Sequence, residues 1–289
     1  RSSQAESSAA SDGYKRQFLD IASKRSPEAI KRKLPSMYHQ FKELANVDIT
    51  AQPMEVGPTC HYTMGGVRVD ADSQETGVPG LFAAGEVAGG MHGANRLGGN
   101  SLSDLIVFGK RAGEFAAQHA AERSAASSFD DNEVEQQAEK MLAPFGREQG
   151  ENPYTVHNDL RNMMQEKVGI IRQGHLLEEA IQDLEAFRQR EATTSPGGTR
   201  IYNPGWHQAL EIGAMIDISK MCAIAALARE ESRGGHTRLD FPTPNHKRWG
   251  KINSVIVLNS AGDMELSHVK YPPISDDLKE LLDADDLHE

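Results

Sequence analysis

Apolar positions recur every three or four residues in two long stretches of the chain, and this spacing predicts helices. Residues 156–187 have an amphipathic pattern, which indicates one helix or a helix pair broken near Gly174. The stretch from Trp206 to Ala228 is apolar nearly all round, as expected of a helix buried inside a bundle. The pattern therefore predicts a helical domain over residues 130–233.

A shorter helical pattern covers residues 14–46. Ser26 precedes Pro27 and an acidic residue, which is typical of a helix N-terminus, and Pro35 should end or kink that helix. A second helix would carry three apolar side chains on one face: Met37, Phe41 and Leu44.

No helix is predicted at either end of the chain. Residues 1–13 are rich in Ser and Ala and are expected to form a flexible lead-in. Two strand-like runs, Ile252 to Leu258 and Met264 to Val269, flank a turn-forming segment at 259–263 and predict a β-hairpin. Residues 234–289 should therefore contain this hairpin followed by an acidic tail.

Glycines become dense between about residue 50 and residue 122, where short apolar runs alternate with turns. We expect short strands at 66–69 and 80–84, followed by a long apolar helix that opens near Ser101. Dense glycine indicates tight turns or a backbone that passes close to a ligand. This region is therefore the one in which a functional site is expected.

Composition excludes several classes of protein. The net charge of -11 argues against nucleic acid as the main partner, because phosphate binding needs clustered Lys and Arg. Cys60 and Cys222 are far apart, which indicates a reducing compartment with no disulfide framework and no structural metal. No apolar run approaches the roughly 20 residues of a membrane-spanning helix, and the N-terminal residues lack the apolar core of a signal peptide.

Arg96 and His61 are the side chains best suited to bind an anion in the glycine-dense region. The Arg96 guanidinium can hold a carboxylate through two parallel hydrogen bonds, or it can serve structurally by pairing with a local acid. His61 can be a ligand-binding or a structural residue. A dyad of Cys60 with His61 is disfavoured, because neighbouring side chains in an extended segment point to opposite faces.

The helix that opens near Ser101 offers a second kind of anion site. Ser101 and Asp104 are spaced as in a capping box, and the exposed N–H groups of a helix start stabilise negative charge. Glu86 follows the predicted strand at 80–84, where a carboxylate can accept hydrogen bonds from cofactor hydroxyls or simply be exposed. His92 can be a further ligand or a turn residue.

Three motifs occur in a recognisable order: HYTMGG at 61–66, GLFAAGE at 80–86 and HGANRLGGNSL at 92–102. Together they resemble the succinate dehydrogenase/fumarate reductase flavoprotein family. The segment EESRGGHTRLDFP at 230–242 resembles that family's junction between a helical domain and a C-terminal hairpin.

The resemblance implies a fold class with three parts: a partial α/β FAD-binding domain, a helical bundle domain and a C-terminal β-hairpin. Residues 14–50 would be the end of a capping domain, 51–129 the C-terminal part of the FAD-binding domain, and 130–233 the helical domain.

The resemblance also implies residue roles and an activity. His61 and Arg96 would bind the dicarboxylate, Glu86 the ribityl chain of FAD, and the backbone at Ser101 and Leu102 would face the isoalloxazine ring. Hydride would pass between FAD and succinate or fumarate. Electrons would reach an iron–sulfur subunit, and membrane-anchor subunits would hold the complex peripherally on the cytoplasmic side of the cell membrane.

Some motifs of the family do not occur in this sequence. A GxGxxG element, the His that attaches FAD and the proton-transfer arginine are absent, so no catalytic residue is assigned. We therefore expect a truncated C-terminal half that is inactive alone. Two alternatives remain open: an L-aspartate oxidase-type flavoenzyme, which shares HGANR-type motifs, and a non-catalytic fragment that acts only as a scaffold or interaction module.

Overall fold

A computed structural model describes most of the chain. The described residues are 17–57, 60–123, 129–147 and 149–279. The predicted lead-in at 1–13 and the end of the acidic tail at 280–289 lie outside them. Contacts divide the chain into two compact units, residues 1–61 and residues 62–289, and each is described by itself.

The first unit combines a small antiparallel sheet with two helices. Its elements are β1 (Gln17–Leu19), α1 (Pro27–Lys33), α2 (Pro35–Ala45) and β2 (Met54–Val56), with β1 paired to β2. The Ser26 hydroxyl accepts the N–H of Ala29, and Pro35 begins α2, so the predicted cap and helix break are confirmed. Phe41 packs against the core, whereas Leu44, on the same side of α2, is 85% exposed.

The second unit is mainly helical. Two 3₁₀ turns occur at Gly85–Val87 and Ala143–Gly146. Its helices are α3 (Asn100–Glu122), α4 (Asp131–Leu142), α5 (Pro153–Lys167), α6 (Gly174–Ala192), α7 (Pro204–Ala228), α8 (His246–Trp249) and α9 (Asp276–Lys279). Its strands are β3 (Ile171–Arg172), β4 (Thr237–Arg238), β5 (Ile252–Leu258) and β6 (Met264–Lys270).

The main core lies among α5, α6 and α7. Its buried side chains include Leu160, Leu177, Leu184, Ile212 and Ile216. The predicted break near Gly174 is confirmed, since α5 and α6 are separate helices joined through β3. The predicted buried helix is confirmed as α7.

The C-terminal hairpin has the predicted form. β5 and β6 pair antiparallel, with Ile252 opposite Lys270 and Leu258 opposite Met264. In the turn, the Asn259 side chain accepts the N–H groups of Ala261 and Asp263. This side chain therefore replaces backbone partners that a tight turn cannot supply.

Arg238, in β4, is bound to the end of α7. Its side chain is buried and donates to the carbonyl oxygens of Ala226 and Leu227, which end α7 without partners inside the helix. It also pairs with Asp240, and these hydrogen bonds lower the pKa of that carboxyl to about 2. β3 and β4 pair in parallel next to this contact.

Glu231 anchors the segment that follows α7. Its carboxylate is fully buried and accepts hydrogen bonds from Arg229, Arg233 and the N–H of Asn245. Burial raises the pKa of Glu231, but the hydrogen bonds from Arg233, Asn245 and Arg229 outweigh it, so that the net pKa is lowered. The carboxylate therefore stays ionised and holds both guanidinium groups.

His236 is fixed in the neutral state by two unlike neighbours. Nη1 of Arg172, which can only donate, lies 2.7 Å from Nδ1, and the carbonyl oxygen of Arg229, which can only accept, lies 3.1 Å from Nε2. The proton therefore belongs on Nε2. Burial, with the positive charge of Arg172 adding to it, lowers the pKa of His236 to about 4.

The predicted strands at 66–69 and 80–84 are not formed. Only isolated bridges occur there, between Val67 and Ala88, Val69 and Thr76, and Glu75 and Phe82. Across the described residues the sheets are three two-stranded ones, so the α/β sheet expected for this region is absent from that part of the chain. An extended segment becomes a strand only when a neighbouring strand takes its hydrogen bonds. The helical domain and hairpin of the predicted fold class are present.

None of the helices formed by the described residues combines the length and the apolar character needed to cross a membrane.

The neutral His236 predicts a loss of stability in acid. Its folded-state pKa of about 4 lies below the ordinary value of 6.5, so the unfolded chain takes up the proton first as pH falls. We expect the free energy of unfolding to fall by about 2 kcal/mol between pH 7 and pH 5 from this group alone. Urea unfolding followed by tryptophan fluorescence at several pH values would measure it.

His236→Gln should flatten this pH dependence, because glutamine does not titrate. His175→Gln, at an exposed position on α6, is the matched control and should leave the dependence unchanged. An equal pH dependence in the His236→Gln variant and the unaltered chain would contradict the prediction.

Candidate functional site

The loop that carries Arg96 lies directly before α3. The N–H of Asn100 donates to the carbonyl oxygen of Leu97, and the N–H of Leu102 donates to that of Gly99. Gly99 is the N-cap with φ of 85°, and no side chain caps the helix there. The N-terminus of α3, beside the Arg96 loop, is therefore not capped by a side chain.

Tyr62 supports the Arg96 side chain. The centre of the guanidinium lies 4.7 Å from the centroid of the Tyr62 ring, over its face. A guanidinium in this position is attracted to the electrons of the ring and keeps its planar orientation. The aromatic face therefore orients the cation without neutralising it.

A buried contact between His92 and Asp104 lies at the edge of this ring. His92 meets Tyr62 edge to face at 5.5 Å, and its Nε2 lies 3.2 Å from Oδ2 of Asp104. The side chains of His92 and Asp104 are only 10% and 5% exposed. Burial, together with the charge of Asp104, raises the pKa of the Tyr62 hydroxyl, which therefore stays protonated at neutral pH.

Arg96 itself lacks an anionic partner among the described residues. None of them forms a hydrogen bond or ion pair with its side chain, and its Nε is buried with no acceptor. A buried donor without a partner costs about 1–3 kcal/mol, more when it is charged. The arrangement can therefore receive an anion, and a carboxylate matches the guanidinium fork.

Glu86 lies in the 3₁₀ turn that packs beside α3. Its Oε1 accepts the N–H of Thr63 at 2.9 Å, which connects the turn to the HYTMGG motif. The rest of its side chain is exposed. This contact fixes the carboxylate and leaves oxygen lone pairs for a further donor.

Comparison with known proteins gives two family matches. Residues 2–102 match the FAD binding domain family, and residues 157–280 match the family described as fumarate reductase flavoprotein C-term. One of the subunits of the fumarate reductase (CoM/CoB) of Methanothermobacter marburgensis is 40% identical over 233 residues, which covers 80% of this chain and 42% of that protein. The fumarate reductase flavoprotein subunit of Escherichia coli is 36% identical, covering 72% of this chain and 35% of that protein.

Solved structures agree with these matches. Mycobacterium smegmatis Sdh1 in complex with UQ1 superposes with a TM-score of 0.84 at 46% identity, covering 94% of this chain and 46% of that one. A quinol-fumarate reductase with menaquinol molecules gives a TM-score of 0.79 at 30% identity, covering 90% and 45%. The chain belongs to the succinate dehydrogenase/fumarate reductase flavoprotein family. It spans less than half the length of these relatives.

The second unit has features that fit part of the site for FAD, the cofactor of this flavoprotein family. A Cβ at Gly98 or Gly99 would meet no atom within 4 Å, so open space adjoins the start of α3. Ser101 is partly buried and Leu102 is exposed in this first turn. The uncapped helix end, the open glycine backbone and the exposed Glu86 carboxylate suit a large polar cofactor that carries negative charge.

The predicted dicarboxylate residues fall in different units of this flavoprotein. His61 is exposed and belongs to the first unit, whereas Arg96 belongs to the second. Their convergence on one ligand therefore stays a prediction. Cys60 is exposed beside His61 and is a free thiol.

One local prediction is wrong. Ser101 does not cap α3, because the helix starts at Asn100 with Gly99 as its N-cap, and Asp104 pairs with His92 instead of closing a capping box. The reason is the buried imidazole of His92, whose Nε2 lies 3.2 Å from Oδ2 of Asp104 and so engages the carboxylate that a capping box would need.

Sequence reasoning did not identify Tyr62 as a support for Arg96. The two residues are 34 positions apart, and the signal was only that both lie in family motifs, HYTMGG and HGANRLGGNSL. The sequence leaves His92 open as a ligand or a turn residue, and its contact with Asp104 gives it a positioning role.

The contact of Tyr62 with Arg96 predicts a measurable coupling. In a double-mutant cycle with Tyr62→Leu and Arg96→Met, we expect a coupling of about 1 kcal/mol in the free energy of unfolding. Combining Tyr154→Leu on α5 with Arg96→Met is the control and should be additive. Additivity in the Tyr62 cycle would show that the ring does not support the guanidinium.

Proposed function

We propose that this chain supplies part of the dicarboxylate site and part of the flavin site of an FAD-dependent enzyme that interconverts succinate and fumarate. The buried, unpaired Nε of Arg96 is the observation that carries the proposal. Family membership supports it, because the relatives above are named for fumarate reductase and Sdh1.

Arg96 would bind one carboxylate of the substrate through its guanidinium fork. The ring of Tyr62 would keep that fork in plane, and the pair of His92 with Asp104 would hold the ring from its edge. His61 would bind the other end of the dicarboxylate. Hydrogen-bond donors at both ends of the substrate would favour a transition state in which negative charge builds up on the diacid.

FAD, when bound, supplies the two-electron redox chemistry. Glu86 would accept hydrogen bonds from the ribityl hydroxyls, since its carboxylate is already fixed by the N–H of Thr63. The backbone at Ser101 and Leu102, in the first turn of α3, would stabilise negative charge on the ring system through the helix dipole. No described residue is assigned as the proton donor, which we propose to be an arginine elsewhere in the protein.

The same proposal includes partner subunits. Electrons would pass to an iron–sulfur subunit, and membrane-anchor subunits would hold the assembly peripherally at the cytoplasmic face of the membrane. The support is the character of the relatives, which are named as subunits of fumarate reductases. An aspartate oxidase-type activity remains the alternative within the same site chemistry, because aspartate is also a dicarboxylate.

Substitution of Arg96 tests the dicarboxylate site. In the FAD-loaded protein that carries this sequence, Arg96→Ala should lower kcat/KM for succinate and fumarate by about 100-fold or more, corresponding to about 3 kcal/mol. Arg96→Lys should retain more activity, since it keeps the charge but loses the fork. The assay should include aspartate, and preferential oxidation of aspartate would favour the alternative enzyme.

Arg111→Ala is the matched control for this test. Arg111 lies on α3, where it pairs with the exposed Asp72. An exposed ion pair contributes little, so its removal should leave kcat/KM close to that of the unaltered protein. Equal losses in the Arg96 and Arg111 variants would contradict the assignment of Arg96.

The exposed apolar face of α3 generates a prediction about FAD retention. Four side chains at the start of α3 are exposed: Leu102, Leu105, Ile106 (73% exposed) and Val107. A contiguous apolar face of this kind normally packs against other protein. We therefore expect the 289-residue polypeptide, expressed by itself, neither to retain FAD nor to oxidise succinate.

The absorbance of the purified polypeptide at about 450 nm, where bound flavins absorb, would measure FAD retention. A colourless chain that still binds partner subunits would support the interaction-module hypothesis for this polypeptide. A yellow, active chain would contradict the prediction.

A further inference from the structure

A tight turn after α7 touches the backbone of the Arg96 loop. In the turn formed by residues 233–236, the N–H of Arg233 donates to the carbonyl oxygen of His236 at 2.8 Å, and the reverse bond measures 2.9 Å. The N–H of Gly235 then donates to the carbonyl oxygen of Ala94 at 2.9 Å. This hydrogen bond ends two residues before Arg96.

No side chain fits at the point of contact. Gly234 has φ of 56°, and a Cβ added there would lie 2.3 Å from the carbonyl oxygen of Ala94 and 2.5 Å from its carbonyl carbon. Real Cβ atoms do not approach a carbonyl group so closely, and a main-chain group cannot rotate away as a flexible side chain can. The turn and the loop therefore fit together only because this residue is glycine.

The turn is firmly anchored on its own side. The buried Glu231 holds the guanidinium of Arg233 through two hydrogen bonds, and His236 lies between Arg172 and the carbonyl oxygen of Arg229. These contacts tie the turn to the end of α7 and to β3. The turn can therefore serve as a fixed surface for the loop.

The opposite side of the loop is held by α3. His92 begins the HGANRLGGNSL motif and pairs with Asp104 in the first turns of that helix. The segment from His92 to Arg96 is thus fixed at one end by α3 and near the other by the turn at 233–236. Helix α3 and this turn together limit where the Arg96 guanidinium can lie.

We propose that Gly234 is a positioning residue for dicarboxylate binding, acting through the Ala94 backbone on Arg96. This inference rests on the proposed function of Arg96. It means that the region matched to the C-terminal family, residues 157–280, contributes to a substrate site whose carboxylate-binding arginine lies in the FAD binding domain match. A displacement of about 1 Å in a binding group can reduce activity by about 100-fold, so small movements of this turn matter.

Gly234→Ala is the test, with two matched controls. Gly235→Ala changes the same turn, but its Cβ would lie at an ordinary 3.7 Å from the Ala94 oxygen. Gly262→Ala, in the hairpin turn, has φ of 87° and would meet no atom within 4 Å. It therefore reproduces the unfavourable backbone conformation without the collision.

In the FAD-loaded protein, Gly234→Ala should raise the KM for succinate and fumarate by about 10-fold or more, with kcat changed by less than about 3-fold. Hydrogen–deuterium exchange should become faster in peptides that cover residues 92–96 and stay unchanged in α6. Both controls should leave KM and exchange close to those of the unaltered protein. A KM and an exchange rate in Gly234→Ala no different from the controls would overturn the proposal.

Arg233→Gln keeps the test decisive if the Gly234 variant does not fold. It leaves both glycines in place but weakens the hold of Glu231 on the turn, so it should raise KM in the same direction by a smaller factor. An unchanged KM and unchanged exchange at 92–96 would overturn the proposal. Failure of the proposed function is distinguishable: KM unaffected by Arg96→Ala would reject that function, while exchange at 92–96 still decides whether the turn holds the loop.

Discussion

The cost of keeping a guanidinium partly out of water without an anion is the constraint on which the chemistry of the second unit depends. Arg96 meets this constraint by stacking on Tyr62, which stabilises the cation but offers no hydrogen-bond acceptor for the buried Nε. A structural arginine would be expected to have found a carboxylate. Asp104 is close to the same ring, yet it pairs with His92. Asp104 thus contacts His92, which packs on the Tyr62 ring, and the Arg96 guanidinium remains available to a ligand.

Segments that are far apart in the sequence together position the Arg96 side chain. The HYTMGG motif contributes Tyr62, the HGANRLGGNSL motif contributes His92 and Arg96, and the turn after α7 contacts the loop between them. Backbone contact, rather than side-chain chemistry, makes the last connection. Such contact transmits position strongly because main-chain atoms are close-packed and cannot adopt another rotamer. The close approach to Ala94 therefore explains why residue 234 is a glycine.

The apolar face of α3 links stability to function in this flavoprotein. Its side chains are exposed beside the glycine-lined start of the helix, where negative charge is stabilised. Protein that packed on this face would remove water from the helix end and strengthen its field. Assembly and cofactor binding would then be two consequences of the same packing. The segments at 66–69 and 80–84, which form only isolated bridges, are also suited to further pairing.

The sequence by itself determined the elements whose signals are local. The helix break at Pro35, the separation of α5 from α6 near Gly174, the buried α7 and the hairpin turn at Asn259 all follow from spacing, proline, glycine and side-chain caps within a few residues. Ordered motifs likewise identified the family. The local signal at Ser101 was misleading. The spacing of Ser101 and Asp104 fits a capping box, but Asp104 contacts His92 instead.

Only the tertiary structure decided what surrounds Arg96. The stacking on Tyr62, the buried contact of His92 with Asp104 and the close approach of Gly234 to Ala94 join residues 12 to about 140 positions apart. The periodicity of the sequence does not carry such information. These contacts form only when separate elements pack and each polar side chain meets its best-placed partner among all neighbours. The sequence could name the guanidinium as a candidate, but its lack of an anionic partner is a property of the folded chain.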